Sequence, residues 1–223
     1  MSLNIFLPCS RDKLPRLPHP ACFKYYILVD SLVNVMTKSY DKIEYWSDRN
    51  EPNSDKAVKL ARAHSQWVQS FISSKYNILE YGPGVGRMVE LYINNSSINF
   101  YDITFSYQNR LIDRCKEFGL VINKFIIDDS GQIKTPFKDH EFDVVTCFEV
   151  FLHSSHTEIK DLMLELARIS HKVVVITWYE GGNVLQSNHC FTRDYRKIIN
   201  DNNLNLLEWK ENLFPNQVAF VYR

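Results

Sequence analysis

From Cys22 to about Ser39 the apolar residues Phe23, Tyr26, Ile27, Val29, Leu32, Val33 and Met36 recur at helical spacing, so a helix is expected there. A second periodic stretch, Ala57, Leu60, Ala61, His64, Trp67, Val68, Phe71 and Ile72, begins just after Ser54, which stands where an N-cap belongs. It predicts a helix to about Ser74. The polar stretch between them, with Tyr45, Trp46, Pro52 and Asn53, reads as a loop. Ahead of both, Pro8 to Pro20 is rich in proline and basic residues. It reads as an extended arm, because each proline removes a donor and restricts its predecessor.

Beyond Ser74 the texture changes to short apolar runs alternating with amphipathic ones, the pattern of a parallel sheet covered on both faces. Strands are expected at Asn77–Tyr81, Ile98–Asp102, Val121–Ile127, Asp143–Phe148 and Lys172–Thr177. Helices are expected near Gly84–Asn94, Ser106–Phe118, Thr157–Ile169 and Thr192–Asn202. The tail differs. Leu204–Asn212 and Gln217–Tyr222 are joined by too few residues for a parallel crossover, so they must pair as an antiparallel hairpin. The reading is an N-terminal arm and helical cap over residues 1–53, followed by an α/β domain over residues 54–223.

Length adds little to this: 223 residues fit one large domain with decoration. Charge removes something. The 26 lysines and arginines balance 26 aspartates and glutamates, so no net field draws in nucleic acid or an anionic membrane from a distance. The five cysteines are scattered, odd in number and without a C-x-x-C pair. This argues against a disulfide framework or structural zinc and fits a reducing cytoplasm. No apolar run approaches the ~18–20 residues that span a bilayer, and Met1 to Pro20 carries four prolines in place of a signal-peptide core.

The chemistry concentrates after the first expected strand, at Glu80-Tyr81-Gly82-Pro83-Gly84-Val85-Gly86. Glycines at 82, 84 and 86 let the backbone turn tightly and approach a ligand, and a helix N-terminus following them favours an anionic or polar group. A dinucleotide fingerprint places its third glycine where this chain has Arg87. The observed E-x-G-x-G-x-G resembles the first motif of the class I, Rossmann-like S-adenosylmethionine-dependent methyltransferases, and the resemblance runs from about Tyr76 to Arg223.

That resemblance implies a doubly wound, mostly parallel seven-stranded sheet with a reversed C-terminal strand, and S-adenosyl-L-methionine as cofactor. It assigns cofactor contacts to Glu80, Gly82, Pro83, Gly84 and Gly86. Asp102, with Ile103 beside it, ends the second strand 16 residues after Gly86, where the family's acid accepts the ribose hydroxyls; an Asp there also serves as a helix cap. Asp128 and Asp129 end the third strand, where the family places an acid near the adenine amino group, Asp129 being preferred; strand-end aspartates are also ordinary turn residues. Phe148 is a candidate for packing on adenine. Ser170-His171-Lys172 departs from the proline-glycine pair that many members carry before the fifth strand.

Methyl transfer from a sulfonium mainly requires alignment of the nucleophile, with a base where the acceptor is a hydroxyl. Glu149, His153, His156, Tyr179 and His189 follow the carboxyl ends of the fourth and fifth strands, where ligands of open α/β sheets collect. His153 is the first choice as base, against the plainer role of a histidine bonded in a loop corner. Glu149, His153 and His156 lack the firm ligand set of a metal site. The expected function is O- or N-methylation of a small molecule without membrane association. A methyltransferase acting on RNA or protein, a nicotinamide-dependent oxidoreductase and a non-catalytic cofactor-binding protein are the alternatives.

Overall fold

The computed structural model describes residues 41–48, 65–95, 97–178, 190–211 and 217–223, all within the compact unit Tyr40–Arg223. The arm from Pro8 to Pro20, the helix expected over Cys22–Ser39 and the Ser54 cap lie outside the described residues. Helix α1 spans Lys42–Asp48, and residues 65–69 are helical. Then come β1 (Ile78–Tyr81), β2 (Ser97–Asp102), α2 (Gln108–Glu117), β3 (Val121–Ile127), β4 (Val144–Phe148), α3 (Ile159–Ile169) and β5 (Val173–Trp178). They are followed by α4 (Tyr195–Asp201), β6 (Leu206–Glu211) and β7 (Gln217–Tyr222).

The strands form one seven-stranded sheet in the order β3-β2-β1-β4-β5-β7-β6. Strands β1 to β5 pair in parallel, and β7 runs antiparallel to both β5 and β6, the expected hairpin. Alternation along each strand sends side chains to two faces. Leu79, Tyr101, Val145, Val175 and Phe220 pack under Leu162, Met163 and Leu166 of α3 and Tyr195 of α4. Ile78, Phe100, Val144, Val174 and Val221 pack with Val68, Tyr92 and Leu111 on the other face. Both faces are therefore covered, as central parallel strands require. The strand order turns back at β1, and the crevice beyond β1 and β4 is where such sheets bind ligands.

Three expectations are corrected. No α-helix follows the glycine loop: residues 84–88 are turns and Val89–Tyr92 is a short 3₁₀ helix, because Gly86, at φ +78°, breaks helical geometry. The stretch holding Tyr45 and Trp46 is not a loop. It forms α1, started by Asp41, whose carboxylate accepts the N–H groups of Ile43 (2.9 Å) and Glu44 (3.1 Å). The helix expected to reach Ser74 stops at residue 69 and gives way to turns.

Candidate functional site

All three loop glycines lie in the left-handed region, with φ of +71°, +53° and +78° for Gly82, Gly84 and Gly86, but for different reasons. A Cβ on Gly82 would fall 2.5 Å from Val150 Cγ2, and one on Gly86 would fall 2.8 Å from Leu111 Cδ1 and 2.9 Å from Val89 Cγ2. Those two glycines are demanded by packing. A Cβ on Gly84 would meet nothing within 4 Å, so at this glycine the loop borders open space. Asp102 holds the loop from beneath: Oδ2 accepts the Gly84 N–H (3.0 Å), and Oδ1 accepts those of Ile103 (2.7 Å) and Thr104 (3.3 Å). Burial pushes the Asp102 carboxyl up to about 6, against the pull of these three donors. Pro83 is buried, and its carbonyl accepts the Gly86 N–H (2.9 Å).

Glu80 is the penultimate residue of the fully buried β1 and is only 2% exposed, and its Oε2 has no hydrogen-bond partner among the described residues. Burial pushes its carboxyl up to about 8. The Tyr92 hydroxyl opposes that shift, the nearby Asp102 adds to it, and exposed Arg87 on the loop weakly opposes it. The Tyr92 hydroxyl also bonds Thr146 Oγ1 at 2.7 Å. A buried carboxyl oxygen lacking a partner is costly, so a cationic ligand group at the end of β1 would offset a cost that the fold itself leaves in place.

Toward β3, the Tyr101 hydroxyl donates to Asp128 Oδ2 (3.0 Å) and the Ser130 N–H to Asp128 Oδ1 (3.0 Å), so Asp128 closes a turn while Asp129 is exposed. Phe148 is 7% exposed and packs in the core with Val89, Val174 and Ile176.

At the end of β4 the chain makes an unusual turn. Glu149 has φ +58°, its N–H donates to the Ile176 carbonyl (2.8 Å), and its carboxylate accepts from Trp178 Nε1 and Gln217 Nε2, the latter at 2.8 Å. Burial pushes this carboxyl up to about 7, opposed by Trp178, Arg87 and Gln217 in that order. The His153 ring meets Trp46 of α1 edge-on at 4.6 Å, and His156 is exposed with its ring against Phe191 at 5.6 Å. Glu149, His153 and His156 thus turn to three separate partners, and among the described residues no three metal-binding side chains converge. Tyr179 and His189 lie outside the described residues.

Helix α1 bridges this region. Lys42 pairs with Glu158 at 2.8 Å and Trp46 packs on His153, both beyond β4. At its other end the Ser47 carbonyl accepts from Ser106 Oγ (2.9 Å), and Ser47 Oγ lies 3.3 Å from Thr104 Oγ1, both beyond β2. Because β1 stands between β2 and β4, α1 passes over the strand that ends in the glycine loop.

Residues 79–173 match a family model described as a methyltransferase domain. That stretch carries a methyltransferase domain on a Rossmann-like sheet. Solved methyltransferases share its fold. A SAM-dependent methyltransferase from Aquifex aeolicus is 15% identical with a TM-score of 0.56, over 77% of this chain and 98% of that one. Magnesium protoporphyrin IX methyltransferase from Synechocystis, solved with SAH, is 14% identical with a TM-score of 0.59, over 89% and 98%. The PH0226 protein of Pyrococcus horikoshii reaches a TM-score of 0.63 at 12% identity, over 77% and 92%. At these identities the likeness is one of fold. A comparison with curated protein sequences finds no match.

In this methyltransferase domain the motif residues gather at the carboxyl ends of β1 to β4, yet several partners were not legible from motifs. Tyr92 and Thr146 lie beneath Glu80, Val150 fills the space behind Gly82, and Trp178 and Gln217 bind Glu149 from two other strands. One signal was available. Ser155-x-x-Glu158 is a capping box: Ser155 Oγ accepts the Glu158 N–H (3.3 Å) and Glu158 Oε2 accepts the Ser155 N–H (3.0 Å), starting α3.

Proposed function

We propose that this methyltransferase methylates an oxygen or nitrogen of a small molecule, in a pocket between the glycine loop and the ends of β4 and β5. The observation that carries the cofactor half is the buried, unpartnered Oε2 of Glu80 beside a loop that opens at Gly84. S-adenosylmethionine, when bound, supplies a methyl group already activated on a sulfonium. Glu80 pairs with its ammonium group, and the backbone at Gly82, Pro83, Gly84 and Gly86 lies along its amino-acid end. Asp102 retains lone pairs beyond its three backbone donors and takes the ribose hydroxyls. Ile103 lines the adenine side, where Asp129 receives the exocyclic amino group. Asp128 supports that turn, and Phe148 backs it from the core.

The small-molecule reading is supported by α1, which roofs the strand ends and brings Trp46 onto His153. His153 lines the acceptor side of the pocket. Isothermal titration with S-adenosylmethionine and S-adenosylhomocysteine tests the cofactor half: micromolar binding is expected, and no binding of either to folded protein overturns it. For the acceptor, mass spectrometry of a metabolite extract incubated with methyl-labelled cofactor is expected to show a labelled small molecule. Label found only in RNA or protein overturns that half.

A further inference from the structure

We propose that Glu149 is the general base of this reaction and that the acceptor is an amine. The inference rests on the methyltransferase reading above and goes beyond it in naming both the proton acceptor and the substrate class. Three observations carry it.

The first is conformation. A left-handed backbone costs an L-residue of this kind about 1–2 kcal/mol and persists only where surroundings over-determine it; such residues cluster at functional sites. Here β4, β5 and β7 together impose it, through the bond from Glu149 N–H to Ile176 and the two donors on its carboxylate. Glu149 remains half-buried. Each carboxylate oxygen accepts one bond from the fold and keeps a further lone pair for a ligand proton.

The second is position. Val150, the next residue, occupies the space behind Gly82, so Glu149 stands beside the glycine loop. Arg87 of that loop acts electrostatically on both Glu80 and Glu149. The acids suited to ribose and adenine end β2 and β3, on the far side of β1. Glu149 is on the β4–β5 side, which leaves it facing the reacting end of the donor.

The third is charge. Among the described residues the carboxyls of Asp102 and Glu149, at about 6 and about 7, stand against the guanidinium of Arg87, so at and above neutral pH this crevice favours a cationic acceptor over an anionic one. Trp178 adds an aromatic surface next to the carboxylate, suited to a cation. Among the described residues the groups facing Glu149 are Trp178 from β5, Gln217 from β7, Arg87 from the loop and, more distantly, Tyr195 from α4. Burial holds the Glu149 carboxyl at about 7, matched to proton transfer near neutral pH.

In the reaction Glu149 takes one proton from the ammonium of the acceptor and frees the nitrogen lone pair. The N–C bond then forms as the C–S bond of the donor breaks with its electron pair on sulfur. The product leaves as a methylammonium, and Glu149 releases its proton to solvent.

Binding measurements test this without an acceptor in hand. The probes are S-adenosylhomocysteine, a neutral thioether, and the cofactor analogue carrying a protonated amine where the methyl departs. The amine analogue is expected to bind about tenfold more tightly than the thioether, an advantage that grows as pH rises through 7 and Glu149 ionises. In Glu149→Gln, and in Glu149→Gly, where a glycine relieves the backbone, the advantage is expected to fall below about twofold while thioether affinity holds. Equal analogue preference in wild type and both variants overturns the base assignment. Failure of every form, wild type included, to bind either probe overturns the cofactor reading instead. Methyl label recovered on oxygen or carbon overturns the amine assignment.

Discussion

Replacing Glu80 by glutamine should make the free protein's stability less dependent on pH, at the expense of cofactor binding. The carboxyl stands at about 8 in the folded chain against an ordinary value of 4.5. A raised carboxyl binds its proton more tightly when folded, so its stabilising effect is complete below about pH 4.5 and is lost as pH rises toward 8. Each pH unit in that interval is worth about 1.4 kcal/mol, which makes the loss about 3 kcal/mol at pH 7 and about 5 kcal/mol above pH 8. Glutamine does not titrate. Its unpartnered amide adds a cost of about 1–3 kcal/mol, but that cost is constant with pH. The difference in unfolding free energy between Glu80→Gln and wild type should therefore grow in favour of the variant by about 3 kcal/mol between pH 5 and pH 7.5. Urea melts at those two pH values measure it, and the other titrating groups cancel in the difference. Titration calorimetry above pH 8, where the wild-type carboxyl is ionised, should show S-adenosylmethionine binding weakened by at least about tenfold, since the variant cannot pair a cation. A difference that stays flat with pH would refute the burial argument. Unchanged cofactor affinity would refute the pairing.

Other perturbations separate packing from chemistry. Gly84→Ala should cost about 1 kcal/mol from its positive φ alone, whereas Gly82→Ala, which drives a Cβ to 2.5 Å from Val150, should cost at least about twice that in denaturant melts; equal costs would refute the packing distinction. Arg168→Met removes both bonds to Glu165 (2.7 and 2.8 Å) and leaves that carboxylate buried beside Thr135, so a loss of about 3–5 kcal/mol is expected in urea unfolding. A loss under about 1 kcal/mol would show that the network does not pin the β3–β4 connection to α3. Lys42→Ala breaks a half-buried pair worth about 1 kcal/mol, and hydrogen exchange should speed up in residues 42–48 while the sheet stays protected. Unchanged exchange there would mean that Trp46 and Ser47 suffice to hold α1.

The strands were legible because short runs rich in β-branched and aromatic residues, bounded by turn residues, mark them: Val121–Ile127 and Gln217–Tyr222 fall where the pattern placed them, and the others agree within about two residues. The hairpin was legible from loop length alone. Helix α1 was not, because a seven-residue polar stretch carries too little periodicity, and its Asp41 cap is one aspartate among many. The helix expected after the glycine loop failed for the opposite reason. Val85, Met88, Val89 and Tyr92 have helical spacing, but Gly86 takes a backbone angle that spacing does not report.

For the site, local sequence determined which residues end strands, because glycines and acids at strand ends mark where the backbone must turn and where a polar ligand group is met. Glu80, the loop glycines and Asp102 follow from that. Tertiary structure alone decided what each of them does for the fold: Gly82 and Gly86 answer to side chains 68 and 25 positions away, and Glu80 is buried with one carboxylate oxygen lacking a partner among the described residues. It also decided the standing of Glu149, one candidate among several in the sequence, whose left-handed turn and two donors come from three strands that are adjacent only in the sheet. Backbone turns are written over a few neighbouring residues, whereas the burial and partners of a charge depend on chain segments brought together from far apart.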